Sequence, residues 1–78
     1  MPRYFFDIVD GPASMIDDEG QVLPDLEAAK REAAKALLDI AAGEFPQDGP
    51  EKDMSVVVRD GDSKQLEISI SYHVEAST

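Results

Sequence analysis

A single helical stretch, PDLEAAKREAAKALLDIAAG over residues 24–43, limits the folds open to this chain more than any other feature. Leu26, Ala29, Ala33, Leu37 and Ile40 recur at three- and four-residue spacing, with Ala36 and Ala41 beside them, and so form one apolar stripe. Alanine dominates the stripe, which raises helix propensity and lets the helix approach a sheet closely. Asp25 is placed to cap the first amides, and Glu27 complements the positive helix end and pairs with Arg31. Gly43 is placed to end the helix. Lys30, Arg31 and Lys35 alternate with Glu27, Glu32 and Asp39, the pattern of a solvated face. The spacing predicts one helix over 25–42.

Strands flank it. Residues 2–10 are rich in aromatic and β-branched types, and DGPAS (10–14) breaks them with Gly and Pro. SMID (14–17) reads as a short return strand, and Pro12 predicts a turn of more than two residues. DDEG (17–20) is a second turn, with QVL (21–23) leading out of it. Gly43 with EFPQDGPEKD (44–53) reads as a loop over 43–53. MSVVVRD (54–60) and QLEISISYHVE (65–75) form a second hairpin around DGDSK (60–64). The expected architecture is α+β: ββαββ, a four-stranded, mostly antiparallel sheet with one helix on one face. Its parts are a hairpin over 2–23, the helix, the loop and a hairpin over 54–75, in one domain spanning 1–78.

The opening MPRYFFDIVDG is apolar on both strand parities. If Tyr4, Phe6 and Ile8 face the helix, Phe5 and Val9 face away, and Val57 joins them by the same parity. The last strand alternates strictly, with Leu66, Ile68, Ile70, Tyr72 and Val74 on one side and Ser69, Ser71 and His73 on the other. One helix covers one face, so Phe5, Val9, Val57 and His73 mark a candidate interaction surface. A second copy would cover it; the alternative cover is a loop such as the one carrying Phe45.

A chain of 78 residues has a thin core, and with no cysteine it has no disulfide or thiolate–metal staple. Association is a common remedy for so small a core. The formal charge is −10, from 17 acids against 7 bases. Such a polyanion repels a phosphate backbone, which argues against nucleic acid and permits a basic protein partner. No run approaches the roughly 18 apolar residues of a membrane span, and a cytoplasmic location is expected.

No reactive constellation stands out. DDEG with Asp10 fails the spacing of an EF-hand calcium loop. His73 is the one histidine, on the polar side of its strand, and reads as a surface residue. An N-terminal Pro2, freed by removal of Met1, would resemble the small tautomerases, although the hairpin after the first strand departs from their strand-to-helix passage. No metal or cofactor is expected.

Taken together, MPRYFFDIVDG, DDEGQVLPDLEAAKREA and the late VVVRD strand resemble a family of small uncharacterised bacterial proteins, a domain of unknown function. Its members open Met-Pro-Arg-aromatic and carry a Leu-Pro-Asp-Leu-Glu-Ala-Ala helix start. The resemblance implies a single short domain and brings no catalytic residues. The expectation is therefore a non-enzymatic interaction module that self-associates as a homodimer through the uncovered sheet face or a strand edge. The alternatives are an acidic regulator or inhibitor of a basic protein and, less favoured, a tautomerase-like enzyme acting through Pro2.

Overall fold

The computed structural model describes residues 1–44, 51–75 and 77. Their elements follow one another as β1 (Arg3–Asp10), β2 (Ala13–Met15), β3 (Gln21–Val22), α1 (Leu26–Glu44), β4 (Glu51–Asp60) and β5 (Ser63–His73). The strands make one antiparallel sheet in the order β2-β1-β4-β5, and β3 pairs with the start of β1. The fold is α+β, a sheet with a single helix among the described residues. Phe45 lies outside those residues.

Both long hairpins turn through two residues. Asp10 pairs with Ala13 and Asp60 with Ser63, so Gly11–Pro12 and Gly61–Asp62 are complete turns. The expectation of a longer turn at Pro12 is thus corrected. Gly11 takes the left-handed backbone, with φ of 58°, and Pro12 then needs only the φ its ring already fixes.

The helix extends past its expected end. Gly43 lies inside α1 and does not take the left-handed backbone of a helix-ending glycine. At the other end the Asp25 carboxylate accepts the Ala28 amide at 2.9 Å, which is the expected cap. Glu27 reaches Lys30 at 3.2 Å rather than Arg31. β4 starts at Glu51, earlier than read from the sequence, because Glu51 and Asp53 pair with His73 and Ser71 of the long β5.

Register places Phe6 opposite Val58 and Ile8 opposite Val56, with Leu66 and Ile68 beyond them on β5. These side chains share the helix side with Tyr4 and Met54. Ala29, Ala33 and Leu37 close onto them from α1, and Val56 and Val58 are fully buried. The alanines keep helix and sheet close, so nothing larger fits at those positions. The helix lies over β4 and β5 rather than over β1.

Ala33→Leu is expected to destabilise the chain by about 2 kcal/mol in urea unfolding, because it overpacks a site with no exposed surface. Ala42→Leu on the exposed helix face should change stability by less than about 0.5 kcal/mol.

Candidate functional site

Strand alternation sends Phe5, Asp7 and Val9 of β1 to the side of the sheet away from α1, together with Ser55, Val57 and Arg59 of β4. Glu67, Ser69, Ser71 and His73 of β5 continue that face. Phe5, Val9 and Val57 are each half-buried there, and His73 is exposed at the end of β5. The face is not an open apolar patch. Its middle is occupied by a charged pair that sequence reading did not connect.

Arg59 Nε donates to Asp7 Oδ2 at 2.7 Å and Arg59 Nη2 to Asp7 Oδ1 at 3.2 Å, a two-pronged ion pair between residues 52 positions apart. The same guanidinium donates to the Asp17 carbonyl at 2.6 Å and the Gly61 carbonyl at 2.8 Å. It also lies over the Phe5 ring, 4.7 Å from the centroid. The planar fork of arginine makes this bridging feasible; a lysine has no second arm for it.

Asp17 carries the arrangement to the sheet edge. Its amide donates to Asp7 Oδ1 at 2.9 Å. Its carboxylate accepts the Phe6 amide at 3.1 Å, along the stretch of β1 that neither β2 nor β3 pairs. The Glu19 and Gly20 amides, at 3.0 and 3.1 Å, bind its other oxygen and close the turn. Gly20 then passes so near β1 that a Cβ would come within 2.9 Å of Phe5, Arg3 and the Tyr4 carbonyl. The DDEG turn is thus a strap across the edge of β1, and with Arg59 it covers Phe5.

Hydrogen bonds from Arg59 dominate the Asp7 carboxyl and hold it below the ordinary 3.8, against the opposing effect of burial. Burial would raise Asp17, yet the amides of Phe6, Gly20 and Glu19, with Arg59, together hold it below 3.8. Arg59 is pushed further up by its bonds to Asp7. Each member is partnered, and among the described residues no buried side-chain polar atom lacks a partner. Such a satisfied network acts as a brace.

The rest of the face is a shallow concavity of about 440 Å³, lined by Val9, Asp53, Ser55, Glu67, Ser69 and Ser71. Lys64 donates to Glu67 at 2.8 Å and, followed by the Ser55 hydroxyl, holds its carboxyl below 4.5. His73 lies 3.1 Å from Glu51 and 3.6 Å from Glu75, all at the surface. No three metal-binding side chains converge among the described residues. Pro2 is half-buried behind an exposed Met1, and its carbonyl accepts the Leu23 amide at 3.1 Å.

A family model spans residues 3–71. The chain belongs to the DUF6894 family, a domain of unknown function. The matched span takes in the strap, the helix and both hairpins but for the last two residues of β5, so the brace lies wholly within the family's domain. No curated protein and no solved structure was found to match the chain. No helix among the described residues is long and apolar enough to cross a membrane.

Because both aspartates have lowered folded-state pKa values, the unfolded chain binds more protons than the folded chain once pH falls toward 4. Their contribution is fully present above the unfolded value and is lost as pH drops through the lowered ones. Urea stability should therefore be level from neutrality to about pH 5 and decline steeply below about pH 4. An Asp7→Asn/Asp17→Asn chain should be less stable at pH 7 and show a shallower acid decline. An equal acid slope in both would assign the decline to other carboxylates.

Proposed function

We propose that the chain is a non-enzymatic interaction module that forms a homodimer by antiparallel pairing of β5 with β5 of a second copy. The observation that carries this is the outer edge of β5. It is 11 residues long, ends the sheet order, and has Lys64 balanced by Glu67 in a chain of net charge −10. Long edge strands usually carry proline, bulges or repeated charges that discourage pairing. Here a register shift at the very start of β5 is followed by LEISISYH, with one charged residue.

Pairing across a twofold axis near Ile68 would set Leu66, Ile68 and Ile70 beside their mates on the helix side. All three are half-buried in the single chain. The far face is less suited to self-contact, since it would stack Asp53 and Glu67 of one copy against those of the other. Asp7, Arg59, Ser55 and Glu67 of that face are already bound to partners within the chain, which supports a role without catalysis. The same proposal has the module acting in the cytoplasm, where a chain without cysteines forgoes nothing.

Sedimentation equilibrium over a wide concentration range should give twice the chain mass of 8.5 kDa. Ser69→Glu/Ser71→Glu, at exposed positions of the edge strand, would set an acid opposite Glu67 of the second copy and should shift the chain to monomer while leaving its circular dichroism unchanged. A wild-type monomer throughout, or a dimer indifferent to both glutamates, would refute edge pairing.

A further inference from the structure

The helix covers only half of its side of the sheet. A helix is about 10 Å wide and strands are about 4.8 Å apart, so one helix spans about two strands. With α1 over β4 and β5, cover thins toward β1 and β2: Tyr4 is buried, Phe6 and Ile8 are only half-buried, and Met15 is exposed. Three adjoining concavities of about 220, 300 and 150 Å³ lie along it, linked through Phe6, Ile8 and Met15. Ile40 and Ala36 form the helix wall, and the strap forms the other. Met15 and Ile16 stand 66% and 67% exposed at its lip, an unfavourable placement for a chain in isolation.

The charged side chains that line this trough are acidic. Asp10, Asp17, Asp18, Glu19 and Glu32 line the concavities, and among the described residues no lysine or arginine does, although Arg3 donates to the Glu19 carbonyl at 2.9 Å. Asp10 is bound to Lys52 at 3.3 Å and Asp17 is spent on the strap. Asp18 and Glu19 on one wall and Glu32 on the other carry no ion pair among the described residues.

We propose that this trough receives a basic amphipathic helix of another protein, its apolar face on Phe6, Ile8 and Met15 and its cationic flanks against Asp18, Glu19 and Glu32. An added strand does not fit here, because β2, β3 and the Asp17 carboxylate already satisfy the outer edge of β1. The floor from Phe6 to Asp10 is about 14 Å long, matching two to three helical turns. A second copy is a poor occupant: its helix already buries Ala29, Ala33 and Leu37 on its own sheet, and its net charge repels the rim. The site lies across the sheet from the β5 edge and does not depend on dimerisation.

The test uses a fluorescein-labelled peptide of about 15 residues, leucines at helical spacing with lysines on both flanks, and a second peptide with serine in place of leucine. Anisotropy should show the leucine peptide binding the full chain, at least tenfold more weakly when Met15→Asp/Ile16→Asp is introduced. Asp18→Lys/Glu19→Lys should weaken binding and flatten its dependence on salt. Amide shifts of Phe6, Ile8 and Met15 should move on titration, a readout that needs no variant. Three results would overturn the proposal: no binding by the wild-type chain, equal binding of the serine peptide, or indifference to Met15→Asp/Ile16→Asp in a folded variant. A wild-type dimer that Met15→Asp/Ile16→Asp abolishes would also overturn it, by making a second copy the occupant.

Discussion

The Arg59 guanidinium gathers three parts of this protein at one point. It fixes Asp7 in the middle of β1, the carbonyl of Asp17 on the strap and the carbonyl of Gly61 in the second hairpin turn. Those contacts connect the two hairpins on the side of the sheet away from α1. Through Asp17 they also satisfy a β1 amide that would otherwise face solvent at a gap in the ladder. Burying a charge pair is no general route to stability, but removing one partner of such a pair leaves the other stranded. The brace therefore matters most for which arrangement of strap and hairpins the chain adopts.

The second constraint is arithmetic of width. One helix cannot cover four strands, and the three regions it leaves meet different ends. The Phe5 end of the far face is closed by Arg59 and Gly20. The β1–β2 half of the helix side remains an apolar trough with an acidic rim. The outer edge of β5 remains a strand with no neighbour in the sheet order. Function in a protein this small is sought most reasonably where covering is incomplete, since its fully covered parts are occupied with folding.

Much of the fold was legible because the signals were local. The helical stripe named Ala29, Ala33 and Leu37, and parity sorted Tyr4, Phe6 and Ile8 from Phe5 and Val9. The Asp25 cap needed only the residues after it. The brace was not legible, because Asp7 and Arg59 are brought diagonally across the β1–β4 ladder only by a register set across 52 residues. A charged residue on each of two apolar strands was the available hint. Asp17 looked like an ordinary turn acid, since its partner is a β1 amide that is vacant only because β2 and β3 are both short. The trough was missed for a related reason: no periodicity tells which strands a lone helix will lie across.

The central claim is that Asp17, held by Arg59 and Asp7, stands in for a missing strand at Phe6. Hydrogen exchange of the Phe6 amide tests this most directly. The account predicts protection in the wild-type chain comparable to the laddered amides of β4, and loss of that protection at Phe6 in Asp17→Ala while β4 stays protected. A Phe6 amide that exchanges as fast as an exposed loop in the wild-type chain would contradict it.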